Sequence, residues 1–318
     1  MQSQFEQFHQ AILLTDAEHY QQVRVERDTI LERVRQQVAN WYGWTFQPNN
    51  YGSYAMGTGI RPLSGKEYDV DVGLVFNLRP DAVSPVALKS AVFEALRLSG
   101  YQPLWQRPCL TVERPGYHID LSVCAREGNR LWLAEGKQHD HRSRWRTDGM
   151  EWFVARIQTF PSGTHNPQFG RVVRALKRWK DVHFSYDGAI GPVGLALTVM
   201  AYHWFQPQPG DDLSALIVLT RQVVAYFDAG NTTLPFLYEP NDDLLRKMSQ
   251  EQIRQMRDRF RLLLQRLEEA RRTNSAVPLG QAFGTAFPVP AAPVGYFDYD
   301  DYYDDGPVED YGYCRDDD

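Results

Sequence analysis

The sequence predicts an α+β protein in which a sheet-containing N-terminal lobe precedes a helical C-terminal lobe. Three observations carry this expectation. A long amphipathic stretch comes first, short β-rich runs punctuated by turn residues occupy about 45–135, and everything periodic after residue 150 has helical spacing. The 318 residues are 43% hydrophobic and 23% charged, an ordinary globular composition that excludes disorder of the whole chain and suffices for one large or two modest domains.

The stretch 16–41 opens with Thr15 and Glu18 at capping-box spacing, and Val23, Ile30, Val34, Val38 and Trp41 recur along one helical face, so one long N-terminal helix is expected. Strands are expected at 68–75, 109–113, 117–123 and 130–133, with Arg114-Pro-Gly-Tyr117 as a turn and a helix at 84–98. Helices follow at 151–160, 169–183, 191–205, 211–228 and 250–271. The last begins with the N-cap pair Ser249 and Gln252 and carries Ile253, Met256, Phe260, Leu263 and Leu267 as its core stripe. The resulting division is 1–150 for the first lobe, 151–288 for the helical lobe and 289–318 for an acidic, tyrosine-rich tail. A cleft between the lobes is the default ligand site.

The net charge of -6 averages unlike parts. From Phe297 to Asp318 ten acids face one arginine, a net of -9, which leaves +3 for the remainder. Between Arg126 and Lys180 twelve Lys or Arg face five acids, a local excess of +7 that either attracts polyanions or forms a solvated basic face. The tail could shield that surface or merely aid solubility. Cys109, Cys124 and Cys314 form no CxxC pair, and residues 1–10 show neither the basic nor the apolar segment of a secretion signal. A cytoplasmic location is expected, and no run of about 18 apolar residues suggests a membrane span. Cys109, His118 and Cys124 lack zinc-ligand spacing and read as buried free cysteines with a neighbouring histidine.

Within Glu67-Tyr-Asp69-Val-Asp71 the two aspartates are i and i+2 on a strand, so both point to one face while Val70 and Val72 point to the other. Asp120 has the outward position in the strand around Ile119 and Leu121. Were these strands adjacent, three carboxylates would crowd one spot, an arrangement tolerated chiefly when cations such as Mg²⁺ neutralise it. The alternative is a solvated strand face with a stray third aspartate. Gly52-Ser53 stands sixteen residues before Asp69, where glycine would let backbone approach a phosphate and Ser53 would offer two donors, or where the pair would simply be a turn. On the helix at 169–183, Lys180 falls inside the apolar arc and Lys177 at its border, so these lysines either snorkel or border an anion-holding cleft. Arg171, Arg174 and Arg178 are expected on the outer face.

Jointly, GSYAMGTGIRP, EYDVDVGLVF, YHIDLSV, RALKRWK, ALTVMAYHW and FGTAFP resemble the bacterial CD-NTases, DncV-like relatives of cyclic-GMP-AMP synthase within the polymerase-β-like nucleotidyltransferase superfamily. The resemblance spans about residues 15–288. It implies a nucleotidyltransferase lobe with a mixed sheet and a long N-terminal helix packed on a helical lobe. It also implies NTP-consuming synthesis of a cyclic di- or oligonucleotide for anti-phage signalling of the CBASS type. Asp69 and Asp71 would bridge two Mg²⁺ ions, with Mn²⁺ as a substitute, and Asp120 would ligate one of them and serve as or orient the base. Ser53 and Lys177 would contact the donor triphosphate, and Gly52 and Lys180, singled out by their positions in the turn and on the helix, are counted with them as nucleotide-binding residues. The implied partners are NTP substrates, a downstream effector that binds the product and a regulatory protein. A nucleic-acid substrate is disfavoured by the thin +3 charge of the body, although transfer to an RNA 3′ end, a protein or a small molecule is the alternative. Where family members often carry a Ser-aromatic pair this chain has Gly194-Leu195, so no contact is assigned there.

Overall fold

The alternating runs become a mixed sheet in the computed structural model, which describes residues 1–14, 18–139, 142–161, 166–184 and 191–290. Among the described residues the sheet has seven strands: β1 (Phe46–Asn50), β2 (Tyr68–Phe76), β3 (Leu104–Trp105), β4 (Leu110–Arg114), β5 (Tyr117–Glu127), β6 (Arg130–Glu135) and β7 (Arg144–Asp148). Their order is β1-β2-β5-β4-β3, and the end of β5 also pairs with β6, which pairs with β7. Only β2 and β5 pair in parallel, so chain must cross between them, and it does so through α4 (Pro85–Leu98). Ser84 caps that helix by accepting from Ala87 N at 3.1 Å, and a proline occupies its first turn, where no backbone donor is needed.

One face of the sheet is apolar. Val70, Val72 and Leu74 of β2 and Ile119, Leu121 and Val123 of β5 are buried in a core completed by α4 and by α2 (Glu18–Tyr42), whose Val23, Ile30, Val34 and Val38 point inward. Trp41 departs from the expected stripe: it is 39% exposed, because the last turn of α2 lies beyond the buried face. The expected cap at Thr15 lies outside the described residues.

The second core is helical. It joins α5 (Met150–Thr159), α6 (Asn166–Phe184), α7 (Gly194–Trp204), α8 (Asp212–Asp228), α9 (Gln250–Thr273) and α10 (Val277–Phe283). Both hydrogen bonds of the expected capping box open α9, and its five stripe residues are all buried. Phe260 packs against Trp179 of α6 with ring centroids 4.4 Å apart. An unforeseen first helix, α1 (Gln2–Ile12), also belongs here: Phe5, Phe8 and Ile12 are fully buried with Phe283 and Phe287. Drawing the first lobe from residue 1 therefore misplaced residues 1–12, whose apolar spacing commits them to the helical core.

The observed architecture bears out the expected α+β fold. The basic block is less available than its charge suggests, since Arg126 pairs with Glu151, Arg144 and Arg146 with Glu135, and Arg171 with Asp212. Among the described residues no helix is long and apolar enough to cross a membrane. The acidic stretch 297–318, with Cys314, lies outside the described residues.

Candidate active site

The polar face of the sheet looks toward the helical layer. Parallel pairing sets Asp71 beside Asp120 and Asp69 beside His118, so all three aspartates share that face, as the strand periodicity requires. Between the layers lies a cleft of about 580 Å³ walled by Gly52, Ser53, Asp69, Asp71, Lys177 and Lys180, among others. Six of the seven candidate residues therefore converge on one cavity.

Asp120 stands apart from that wall. Antiparallel pairing with β4 puts Thr111 beside it, and Thr111 Oγ1 donates to Asp120 Oδ1 at 2.5 Å. Among the described residues no three His, Cys, Asp or Glu side chains converge as a ready metal cage. The three aspartates thus share one face of the sheet, where Asp120 lies beside Asp71 and accepts from Thr111.

The electrostatics of the floor fit a cation. Burial, then the charges of Asp120 and Asp69, push the Asp71 carboxyl up to about 7. Asp69 is raised as well, by desolvation and then by Asp120, against the opposing effects of His118 and Lys180. Oxygen donors with unneutralised charge suit a hard divalent ion such as Mg²⁺. His118 is engaged elsewhere, with Nε2 2.9 Å from Glu67 Oε2.

Gly52 opens the short helix α3 (Gly52–Ala55) directly after β1, and Tyr51 N donates to Asp71 O at 2.9 Å. Gly52 has φ +61°, and a Cβ there would fall 1.8 Å from Asp71 Oδ2. Glycine is needed both for the left-handed backbone and for the close approach to the carboxylate. Thr58 N donates to Ser53 O at 2.9 Å, which folds the following loop back onto α3.

Lys177 is 8% exposed and gives two hydrogen bonds, both 3.1 Å, to Thr58 O and Thr58 Oγ1. Burial, then the neighbouring Lys180, bring its ammonium down to about 8. Lys180 reaches the cleft beside Asp181, 3.4 Å away. The expectation for the arginines of this helix fails. Arg178 is 3% exposed and donates to Arg61 O, Arg174 donates to Gly57 O, and Arg171 grips the buried Asp212. Helical periodicity had assigned these residues to solvent, but the loop after α3 and helix α8 pack against that side.

Cys109 and Cys124 are buried free thiols. Burial pushes Cys109 up to about 12 and Cys124 well above its usual value, so neither is a ready nucleophile.

Residues 47–124 match the family model described as the nucleotidyltransferase domain of DncV-like cyclic GMP-AMP synthases. The whole fold is similar to Vibrio cholerae DncV, a cyclic AMP-GMP synthase, at TM-score 0.71 and 14% identity over 89% of this chain and 97% of that one. The apo form of DncV gives TM-score 0.73 at 16% identity, covering 89% and 96%. The Bradyrhizobium diazoefficiens CD-NTase CdnG in complex with GTP gives TM-score 0.70 at 16% identity, covering 89% and 95%. No curated protein matches the chain by sequence. The resemblance read from the motifs is borne out: the chain carries a DncV-like nucleotidyltransferase domain on the CD-NTase fold.

Proposed function

We propose, from a DncV-like nucleotidyltransferase domain set in the CD-NTase fold, that this protein joins NTPs into a cyclic di- or oligonucleotide and releases pyrophosphate. One observation carries the reading: Asp69, Asp71, Gly52, Ser53 and Lys177 wall a single cleft between sheet and helical layer. Asp69 and Asp71 are the residues that would hold divalent metal, with Asp120 behind them on the same face. When bound, such ions supply the positive charge that clamps the attacking and leaving oxygens of an in-line displacement at the α-phosphorus.

The chain's own groups do the rest. Ser53 offers a hydroxyl and a backbone N–H to the triphosphate, and Gly52 keeps that turn against the Asp71 carboxylate. Two of the three Lys177 protons go to Thr58, which leaves the third for a phosphate oxygen, and Lys180 adds a second cation. Thr111 orients the Asp120 carboxyl, the candidate base for the attacking hydroxyl.

A nucleic-acid acceptor would call for an open basic track, whereas several arginines of the basic block are already paired with carboxylates. CD-NTases of this kind signal in anti-phage defence, and that role is the finest part of the proposal, resting on the resemblance. The test is incubation of the full chain with four labelled NTPs and Mg²⁺ or Mn²⁺, then phosphatase treatment and mass spectrometry. A phosphatase-resistant cyclic product supports the reading. Nucleotide attached only to added RNA, protein or a small molecule overturns it, as does unchanged turnover in the Asp69→Asn, Asp71→Asn double variant.

A further inference from the structure

Three cations of α6 converge on one stretch of backbone. Arg174 Nη1 donates to Gly57 O at 2.6 Å, Lys177 Nζ to Thr58 O at 3.1 Å, and Arg178 Nη2 to Arg61 O at 2.6 Å. Positions i, i+3 and i+4 lie side by side on a helix, so one face of α6 supplies all three donors. The acceptors lie within the loop 57–61 that leaves α3. On its far side the same loop is tied to the end of α1, where Arg61 N donates to Ile12 O at 2.8 Å and Leu13 bridges to Ile60.

These carbonyls are the side-chain hydrogen-bond acceptors found for the two arginines among the described residues. Among the described residues neither lies within ion-pair distance of a carboxylate, and the buried Nε of each lacks a hydrogen-bond partner. Burial brings the Arg174 guanidinium down to about 10 and lowers Arg178 too. A charged group is desolvated at a penalty unless strong acceptors compensate it, and here the compensation is charge-assisted bonds to loop carbonyls. Carbonyl oxygens carry no side-chain identity, so what is being held is the path of the backbone.

We propose that Arg174 and Arg178 are positioning residues of the nucleotide site, fixing the 57–61 loop from the helical layer and through it the Gly52-Ser53 turn. The link is direct: Thr58 N donates to Ser53 O at 2.9 Å and Gly57 N to Tyr54 O at 3.1 Å, so a displaced loop displaces the turn. Lys177 stands between the arginines and serves both ends, holding Thr58 and facing the cleft. The helical layer thereby sets the geometry of a phosphate-binding turn that belongs to the sheet layer. This inference rests on the nucleotidyltransferase reading above.

The experiment uses the full chain with Arg174→Gln, Arg178→Gln, their double variant and the conservative Arg174→Lys and Arg178→Lys, with Arg221→Gln as the control. Arg221 pairs with Glu268 on the surface of α8, away from the cleft. Amide hydrogen exchange is read at 53–61 without nucleotide, and kcat and KM are read from pyrophosphate release with the four NTPs and Mg²⁺. Loop amides in the double variant should exchange about tenfold faster or more while α9 keeps its protection. The kcat should fall about 100-fold, with part restored in the lysine variants and none lost in the control. Unchanged loop exchange in the double variant overturns the proposal, as does faster exchange with unchanged kcat. Should the double variant fail to fold, the single glutamine variants carry the same two readouts, and wild-type values in both overturn it. A wild-type chain that transfers no nucleotide defeats the functional reading, while the exchange arm still decides whether α6 holds the loop.

Discussion

Gly52 and Asp71 compete for one space: the position a Cβ on Gly52 would take lies 1.8 Å from Asp71 Oδ2, well inside van der Waals contact. Because Tyr51 N is bonded to Asp71 O, the turn cannot simply slide away along the strand. Gly52→Ala should therefore either expel the Asp71 carboxylate or unfold the turn. The φ of +61° adds about 1–2 kcal/mol of backbone strain for a residue with a side chain. Expected are a lowered melting temperature and a loss of transfer of about 100-fold; a variant with wild-type turnover would show that the contact is not tight in solution.

Neutralising one aspartate should separate stability from activity. Asp71 is pushed up to about 7 by burial and by two neighbouring carboxylates, so it opposes folding when ionised and unaccompanied by metal. Asp71→Asn is expected to melt at or above the wild-type temperature in EDTA at pH 8 while losing transfer in Mg²⁺. A lower melting temperature in EDTA would mean that the carboxylate is structurally required.

Lys177 and its acceptor should differ in degree. Lys177→Ala removes both the cation facing the cleft and the tether to Thr58, whereas Thr58→Val removes only the hydroxyl and leaves the carbonyl as acceptor. We expect KM for NTP to rise about tenfold or more in the first and only a few-fold in the second. Titration of the variants with NTP and Mg²⁺ decides this, and equal effects would assign Lys177 to the tether alone.

Asp212 should be a large contributor to stability. It is fully buried and accepts from His9 Nε2 at 3.1 Å, Gln168 Nε2 at 3.0 Å and Arg171 Nε at 2.7 Å, which ties α1 and α6 to α8. Burial alone would raise its pKa, but these hydrogen bonds outweigh it and hold the carboxyl well below its usual range. Asp212→Asn leaves Arg171 without its anionic partner and turns one acceptor oxygen into a donor, and denaturant unfolding should register a loss of about 3–5 kcal/mol.

The same network predicts acid sensitivity. Burial, followed by the charges of Arg174 and Arg171, lowers the pKa of His9 despite the nearness of Asp212. The unfolded chain takes up a proton at His9 near pH 6.5 and the folded chain at a lower pH, so the unfolded state binds more protons in between. His9 thus stabilises the fold fully above about pH 6.5, and that contribution declines as pH falls through its folded pKa. Melting temperatures from pH 8 to pH 5 should drop more steeply in wild type than in His9→Gln. Parallel curves would remove His9 from the acid response.

Much of the site was legible in the sequence because strand periodicity is strict. Once Asp69 and Asp71 stand two apart in a strand, both must share a face, whatever surrounds them. The strands that escaped notice are those without an alternating signal: β1 contains Pro48 and two asparagines, β3 has two residues, and β7 is an edge strand rich in charge. A signal for α1 did exist in Phe5, Phe8 and Ile12, spaced by three and four. The arginines of α6 illustrate a different limit. A helical wheel separates apolar from charged residues, but only the neighbours decide whether the charged side meets water or a loop.

By itself the sequence determined what short-range stereochemistry dictates: the helix expected at 250–271 with its capping box, the apolar face of the sheet, and the shared direction of Asp69 and Asp71. Tertiary structure decided what depends on residues distant along the chain. It set Asp71 beside Asp120, bonded Lys177 to Thr58 across 119 positions, and turned Arg174 and Arg178 from solvent toward loop carbonyls. The reason is physical. Backbone periodicity fixes the direction of a side chain relative to its own element, whereas its hydrogen-bond partner and its desolvation depend on which other element packs against it.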